Sequence, residues 1–91
     1  MNSMSQDVYP DKFDISQLIK QLIAQIVGLD EMHIDVNLPL SSFGLDSAAM
    51  MGVVIELEEK LGIRIDPDLM YEDLTIDKLA SQLACMTQNK S

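Results

Sequence analysis

The sequence predicts an all-α fold: a small four-helix bundle of three main helices and one short one, with a long loop between helices 1 and 2. Three observations carry this. The 91 residues allow one small domain, without an internal repeat or a second domain. Apolar residues recur at three- and four-residue steps in three separate stretches. Each of those stretches opens on an Asp or Thr suited to capping, and two close on a glycine, Gly28 and Gly62.

Met1 to Lys12 is polar and has no periodicity, so residues 1–13 read as a loose tail ahead of a domain over 14–86. Asp14 is the expected N-cap of the first helix, with Gln17 three residues on as in a capping box. Phe13 and Leu18 flank that cap as a hydrophobic staple. Ile15, Leu18, Ile19, Leu22, Ile23 and Ile26 then make one broad apolar face.

From Leu29 to Asp46 the period is lost, and Asn37, Pro39, Ser41, Ser42 and Gly44 are turn and breaker residues. Loops of this length in a small domain often carry function. Ile34, Val36, Leu38, Leu40, Phe43 and Leu45 are expected to pin it to the bundle. The second helix is predicted over Ser47 to Leu61, with Asp46 as cap and Leu45 and Met50 as staple. Met50, Val53, Val54, Leu57 and Leu61 form its inward stripe, while Glu56, Glu59 and Lys60 face water. After the connector Ile63-Arg64-Ile65, Asp66-Pro67 reads as cap plus first residue of a short helix. Thr75 caps the last helix, which buries Ile76, Leu79, Ala80 and Leu83 and ends near Met86. Cys85 is expected to pack, and 87–91 to be a frayed polar tail.

Composition excludes several functions. The formal charge is −9, from 15 acidic against 6 basic side chains. Phosphate recognition needs a basic patch, so no nucleic-acid partner is expected. The acids suit partners that present Lys and Arg. Only 4% of residues are aromatic and there is no Trp, so the core is aliphatic, with seven Met to fill gaps. Cys85, alone, makes neither an internal disulfide nor a Cys-based metal site. No apolar run approaches the ~20 residues of a membrane span, and no secretory signal is evident. The expectation is a cytoplasmic monomer with no membrane partner and no metal.

Phe43-Gly44-Leu45-Asp46-Ser47 is where the loop turns into helix. An exposed hydroxyl beside an acid at a helix start is a good place to attach a group. An Asp-Ser pair is equally a common cap, and spacing alone leaves both readings open. A hydrolase is disfavoured. The nucleophile elbow has Gly two residues to either side of its Ser, where this chain has Leu45 and Ala49. The single His33 gives no evident general base, and no catalytic residue is assigned.

With Ala48 added, the stretch resembles the attachment motif of acyl carrier proteins, Gly-x-Asp-Ser followed by an apolar residue. The resemblance runs from roughly Asp14 to Ala84. Leu57-Glu58-Glu59-Lys60-Leu61-Gly62-Ile63 is similar to the end of that family's second helix. Leu74-Thr75-Ile76-Asp77-Lys78-Leu79-Ala80 is similar to its closing motif. The resemblance implies an acyl-carrier-like bundle acting as a stand-alone, non-catalytic carrier. Ser47 would bear covalent 4′-phosphopantetheine, transferred from coenzyme A by a magnesium-using phosphopantetheinyl transferase. Gly44, Leu45 and Asp46 complete the cofactor-binding motif, with Asp46 helping to place the transferase's metal and basic groups. The arm's thiol would carry acyl groups as thioesters between enzymes, which do the chemistry. Those partners are an acyl-loading enzyme (an acyltransferase or acyl-AMP ligase) and a ketosynthase or other acyl-processing enzymes.

The Gly-Leu-Asp-Ser motif, the turn from Pro67 to Tyr71 and Leu74-Thr75-Ile76 resemble carriers of polyketide or related specialised acyl pathways. Peptidyl carriers usually place Gly-Gly before the acidic or His residue, and Leu45 departs from that. A peptidyl or aminoacyl carrier is one alternative, and a prosthetic-free acidic helical interaction module is the other. Fatty-acid carriers are commonly acidic two and five residues after the serine, where this chain has Ala49 and Gly52. The second helix instead offers Ala48, Ala49, Met51 and Ile55 as an apolar docking patch ringed by Asp46, Glu56 and Glu59. Packing of some of these against the loop is the other reading. Gly52 inside a helix costs ~1 kcal/mol relative to Ala and suggests close approach of the loop or of a partner. Met50, Val54 and Met70 are placed either to open for an acyl chain or simply to pack.

Overall fold

The computed structural model describes residues 10–88. The main elements are α1 (Lys12–Val27), α2 (Ser47–Leu61) and α3 (Ile76–Gln88). Three 3-10 turns join them, at Glu31–His33, Leu40–Phe43 and Pro67–Glu72. The last of these is the short helix expected after Asp66, whose carboxylate accepts the Asp68 N–H at 2.9 Å. The tail expectations at 1–9 and 89–91, and the side chain of Met70, lie outside the described residues.

The start of α1 differs from the expectation. Asp11 is the N-cap and accepts the Asp14 N–H at 2.9 Å, while the Asp14 carboxylate accepts the Asp11 N–H at 3.4 Å. Asp14 therefore fills the third helical position of a reciprocal capping box rather than the cap itself. The shift puts Phe13 inside the first turn, where it is 67% exposed and staples nothing. The apolar face is also narrower than predicted. Ile15, Ile19, Ile23 and Ala24 are buried, but Ile26 is 47% exposed, beyond the arc that the neighbouring helices cover. Gly28 stops the helix in the left-handed region, as expected.

The core is aliphatic. Val53, Val54 and Leu57 of α2 and Ile76, Leu79, Ala80 and Leu83 of α3 are buried against the isoleucines of α1. The long loop is pinned onto this core by buried Ile34 and Leu40 and by half-buried Val36, Phe43 and Leu45, whereas Leu38 is exposed. Backbone pairing holds it as well. The Leu40 N–H donates to the Leu74 carbonyl at 2.9 Å, and the Asp77 N–H to that of Val36 at 3.0 Å. Pro39 and Thr75 form an isolated antiparallel bridge. A loop without periodicity is thus ordered by satisfying its backbone groups across the chain.

At the start of α3 the Thr75 hydroxyl accepts the Lys78 N–H at 3.1 Å, as its capping role requires. Two expectations at the other end fail. Thr87 is buried inside the helix, and its hydroxyl donates to the Ala84 carbonyl at 2.9 Å. That local bond satisfies the hydroxyl, so a polar residue can be buried at little cost. Cys85 points to solvent instead of packing. Lys12 and Asp77 form a partly exposed ion pair at 3.0 Å between the starts of α1 and α3, of modest energetic weight. No helix among the described residues is long and apolar enough to cross a membrane.

Candidate functional site

The site is built where the Leu40–Phe43 turn hands over to α2. Gly44 ends the turn with φ 73° and donates its N–H to the Ser41 carbonyl at 3.3 Å. A Cβ built on Gly44 meets no atom within 4 Å, so the requirement there is the left-handed backbone and not space. Leu45 is half-buried against the core, which fixes the chain just ahead of the helix. Asp46 then caps α2, its carboxylate accepting the Ala49 N–H at 2.8 Å while its carbonyl accepts the Met50 N–H at 2.9 Å.

Ser47 is the first helical residue and is exposed. The ladder of α2 begins at the Met50 N–H, so the amides of Ser47 and Ala48 precede it. Such amides, together with the helix dipole, favour negative charge beside the Ser47 hydroxyl. Beside Ser47 lies an open cavity of about 360 Å³. Leu40, Leu45, Met50, Met51 and Pro67 supply its apolar walls, and Ser41, Asp46, Ser47 and Asp73 its polar edge. Among the described residues, no three His, Cys, Asp or Glu side chains gather as metal ligands.

Gly44, Leu45, Asp46 and Ser47 thus come together at one loop-to-helix corner. The suggested docking residues fall on the outward side of α2. Ala48, Glu56 and Glu59 are exposed, Met51 and Ile55 are 46% and 50% exposed, and Ala49 is half-buried. No atom lies within 4 Å of a Cβ built on Gly52, which removes close approach of the loop as its explanation. Sequence reasoning missed Ser41 and Asp73 as members of the cavity. Their side chains meet across 32 positions of sequence, and no local pattern marks such a pair.

A serine held outward at a helix start, with anion-favouring amides behind it and an apolar cavity beside it, fits a phosphate-linked prosthetic arm. Comparison with known proteins gives the family. Residues 17–83 match the family described as "Phosphopantetheine attachment site". The acyl carrier protein TtuC of Teredinibacter turnerae is 32% identical over 71 residues, covering 78% of this chain and 82% of TtuC. The polyketide synthase PksM of Bacillus subtilis is 30% identical over 82 residues, 90% of this chain but only 2% of that protein's length. Among solved structures, a free-standing peptidyl carrier protein from a secondary metabolic pathway of Acinetobacter baumannii superposes with a TM-score of 0.76. It is 30% identical, and the match covers 84% of this chain and 95% of that one. Matched through its helical body in both sequence and shape, the chain belongs to the phosphopantetheine-attachment family: it is an acyl-carrier-type domain, non-catalytic in itself, whose cofactor is covalent 4′-phosphopantetheine.

Proposed function

We propose that Ser47 is the residue that carries 4′-phosphopantetheine, and that a phosphopantetheinyl transferase places it there. A bond forms between the Ser47 oxygen and phosphorus as the pyrophosphate bond of coenzyme A breaks. The nucleotide leaves, and the serine proton passes to a base of the transferase. The observation that carries this reading is the exposed Ser47 hydroxyl at the first position of α2, with Asp46 engaged as its cap. Gly44, Leu45 and Asp46 hold the serine outward. The amides of Ser47 and Ala48, which precede the helical ladder, favour the phosphodiester anion. The thiol of the bound arm supplies the thioester chemistry.

The domain, helical from Lys12 to Gln88, then acts as an acyl carrier on a polyketide or specialised fatty-acyl pathway, as a separate cytoplasmic, monomeric chain. The likeness to TtuC, of which it covers 82%, supports the separate chain, and the likeness to PksM supports the pathway class. Its partners are the transferase, an acyl-loading enzyme of the acyltransferase or acyl-AMP ligase type, and a ketosynthase or other acyl-processing enzyme. They dock on Ala48, Ala49, Met51 and Ile55, with Asp46, Glu56 and Glu59 meeting basic side chains at the rim. The exposure of Met51 and Ile55, with no neighbour over Gly52, supports this face.

Whole-protein mass after incubation with a transferase and coenzyme A tests the reading. One phosphopantetheinyl group is expected on the native chain and none on Ser47→Ala. Absence of any gain with several competent transferases would favour a prosthetic-free interaction module. A peptidyl or aminoacyl cargo is a second reading, favoured by the likeness to the Acinetobacter carrier. Charging of the loaded arm by an amino-acid-adenylating enzyme, and not by an acyl-loading one, would select it.

A further inference from the structure

The turn Leu40–Phe43 has Pro39 at its cap position, and Pro39 has no side-chain acceptor for the turn's free amides. A residue far along the chain supplies one. The Ser41 N–H donates to Asp73 Oδ1 at 3.0 Å, and the Ser41 hydroxyl donates to Asp73 Oδ2 at 2.9 Å. Asp73 makes this two-point clasp from φ 52° and ψ 50°, alone among the described non-glycine residues in having a positive φ. Asp is one of the few residues that visit this left-handed region. Next to the clasp, the Leu40 N–H to Leu74 carbonyl bond joins the same two segments. Ser41 and Asp73 both border the cavity beside Ser47.

We propose that Asp73 is a positioning residue for Ser47. It caps in trans the turn that leads into Gly44 and Ser47, and so holds the serine and the cavity wall in one arrangement for the modifying enzyme. The inference rests on the reading that Ser47 is the modified residue. Both partners of the clasp are exposed, so its loss leaves the buried core untouched and loosens only the approach to α2. A looser approach lowers the fraction of molecules ready to be bound. Apparent affinity falls by that fraction, while the bound complex reacts as before. The signature is therefore a raised KM with an unchanged kcat.

The test is steady-state modification of the full chain by a phosphopantetheinyl transferase with coenzyme A, followed by mass, with amide hydrogen exchange and Tm read on the same samples. Asp73→Gly keeps the left-handed backbone accessible and removes the clasp. It is expected to raise KM about fivefold, equivalent to ~1 kcal/mol, with kcat within about twofold. Exchange at the Ser41 amide should quicken while α1 and α3 stay protected. Asp73→Asn tolerates the same backbone, accepts the Ser41 N–H through Oδ1 and donates to the Ser41 hydroxyl through Nδ2. It should restore KM to within about twofold of the native value. Ser41→Ala loses one arm of the clasp and gives a smaller rise in KM, a second route should Asp73→Gly fold poorly. A native KM in Asp73→Gly despite fast exchange at Ser41 would overturn the inference. So would a loss confined to kcat, or an Asp73→Asn variant as poor as Asp73→Gly, which would mean direct contact between the carboxylate and the enzyme. These outcomes leave the native chain modified and the proposed function standing. Failure to modify the native chain would remove that function and this inference together.

Discussion

Asp46 accepts the Ala49 N–H at 2.8 Å, so the residue that immediately precedes Ser47 is committed to holding the start of α2. Capping and recognition by the transferase can be separated, because Asn caps a helix about as well as Asp but carries no charge. Asp46→Ala is expected to lose ~1 kcal/mol of stability in urea unfolding. Asp46→Asn should keep its midpoint near the native value and still be modified about tenfold more slowly, the effect of one lost charge-assisted contact to the transferase. Native modification rates in Asp46→Asn would confine Asp46 to its cap.

Gly52 sits mid-helix with nothing within 4 Å of the missing Cβ. Gly52→Ala should therefore stabilise the isolated protein by ~0.5–1 kcal/mol, read as a higher urea midpoint with the slope unchanged. If the outward side of α2 is where partners dock closely, the same variant should accept acyl groups from a loading enzyme less efficiently. Stabilisation with undiminished loading would move the docking face away from Gly52.

Glu58 does more than face water beside its exposed neighbour Glu59. Its carboxylate accepts the Ile65 N–H at 2.8 Å and draws the connector back so that Ile65 is buried. Glu58→Ala leaves a part-buried amide unpaired and should cost ~1–2 kcal/mol. Glu58→Gln retains an acceptor oxygen and should cost less than about half of that. Equal losses in the two variants would show that the charge of Glu58, and not its hydrogen bond, holds the connector.

The parts of the fold that were legible are those set by local chemistry. The limits of α2 follow from Asp46 and Gly62, each of which acts within one turn of itself. Cap and stop signals of that kind are complete in a few residues of sequence. The start of α1 is ambiguous in the sequence because Asp11 and Asp14 can each cap, and the structure uses both in one reciprocal box. Spacing does not rank two acids that trade roles. Ile26 is exposed because an apolar stripe can be wider than the neighbours available to cover it. Thr87 is buried because its hydroxyl finds the Ala84 carbonyl, a partner that composition does not reveal. The corner holding Ser47 was readable from its motif. The cavity beside it was not, since Ser41 and Asp73 meet only once the chain has folded.

The most direct measurement is fragment-ion mass spectrometry of the tryptic peptide between Lys20 and Lys60, taken after reaction with a transferase and coenzyme A. That peptide holds three hydroxyl side chains, those of Ser41, Ser42 and Ser47. The added phosphopantetheinyl mass is expected on fragments that contain Ser47 and on none that stop short of it. Modification at Ser41 or Ser42, or an unmodified peptide from chain that remains folded, would contradict the assignment of Ser47 as the attachment point.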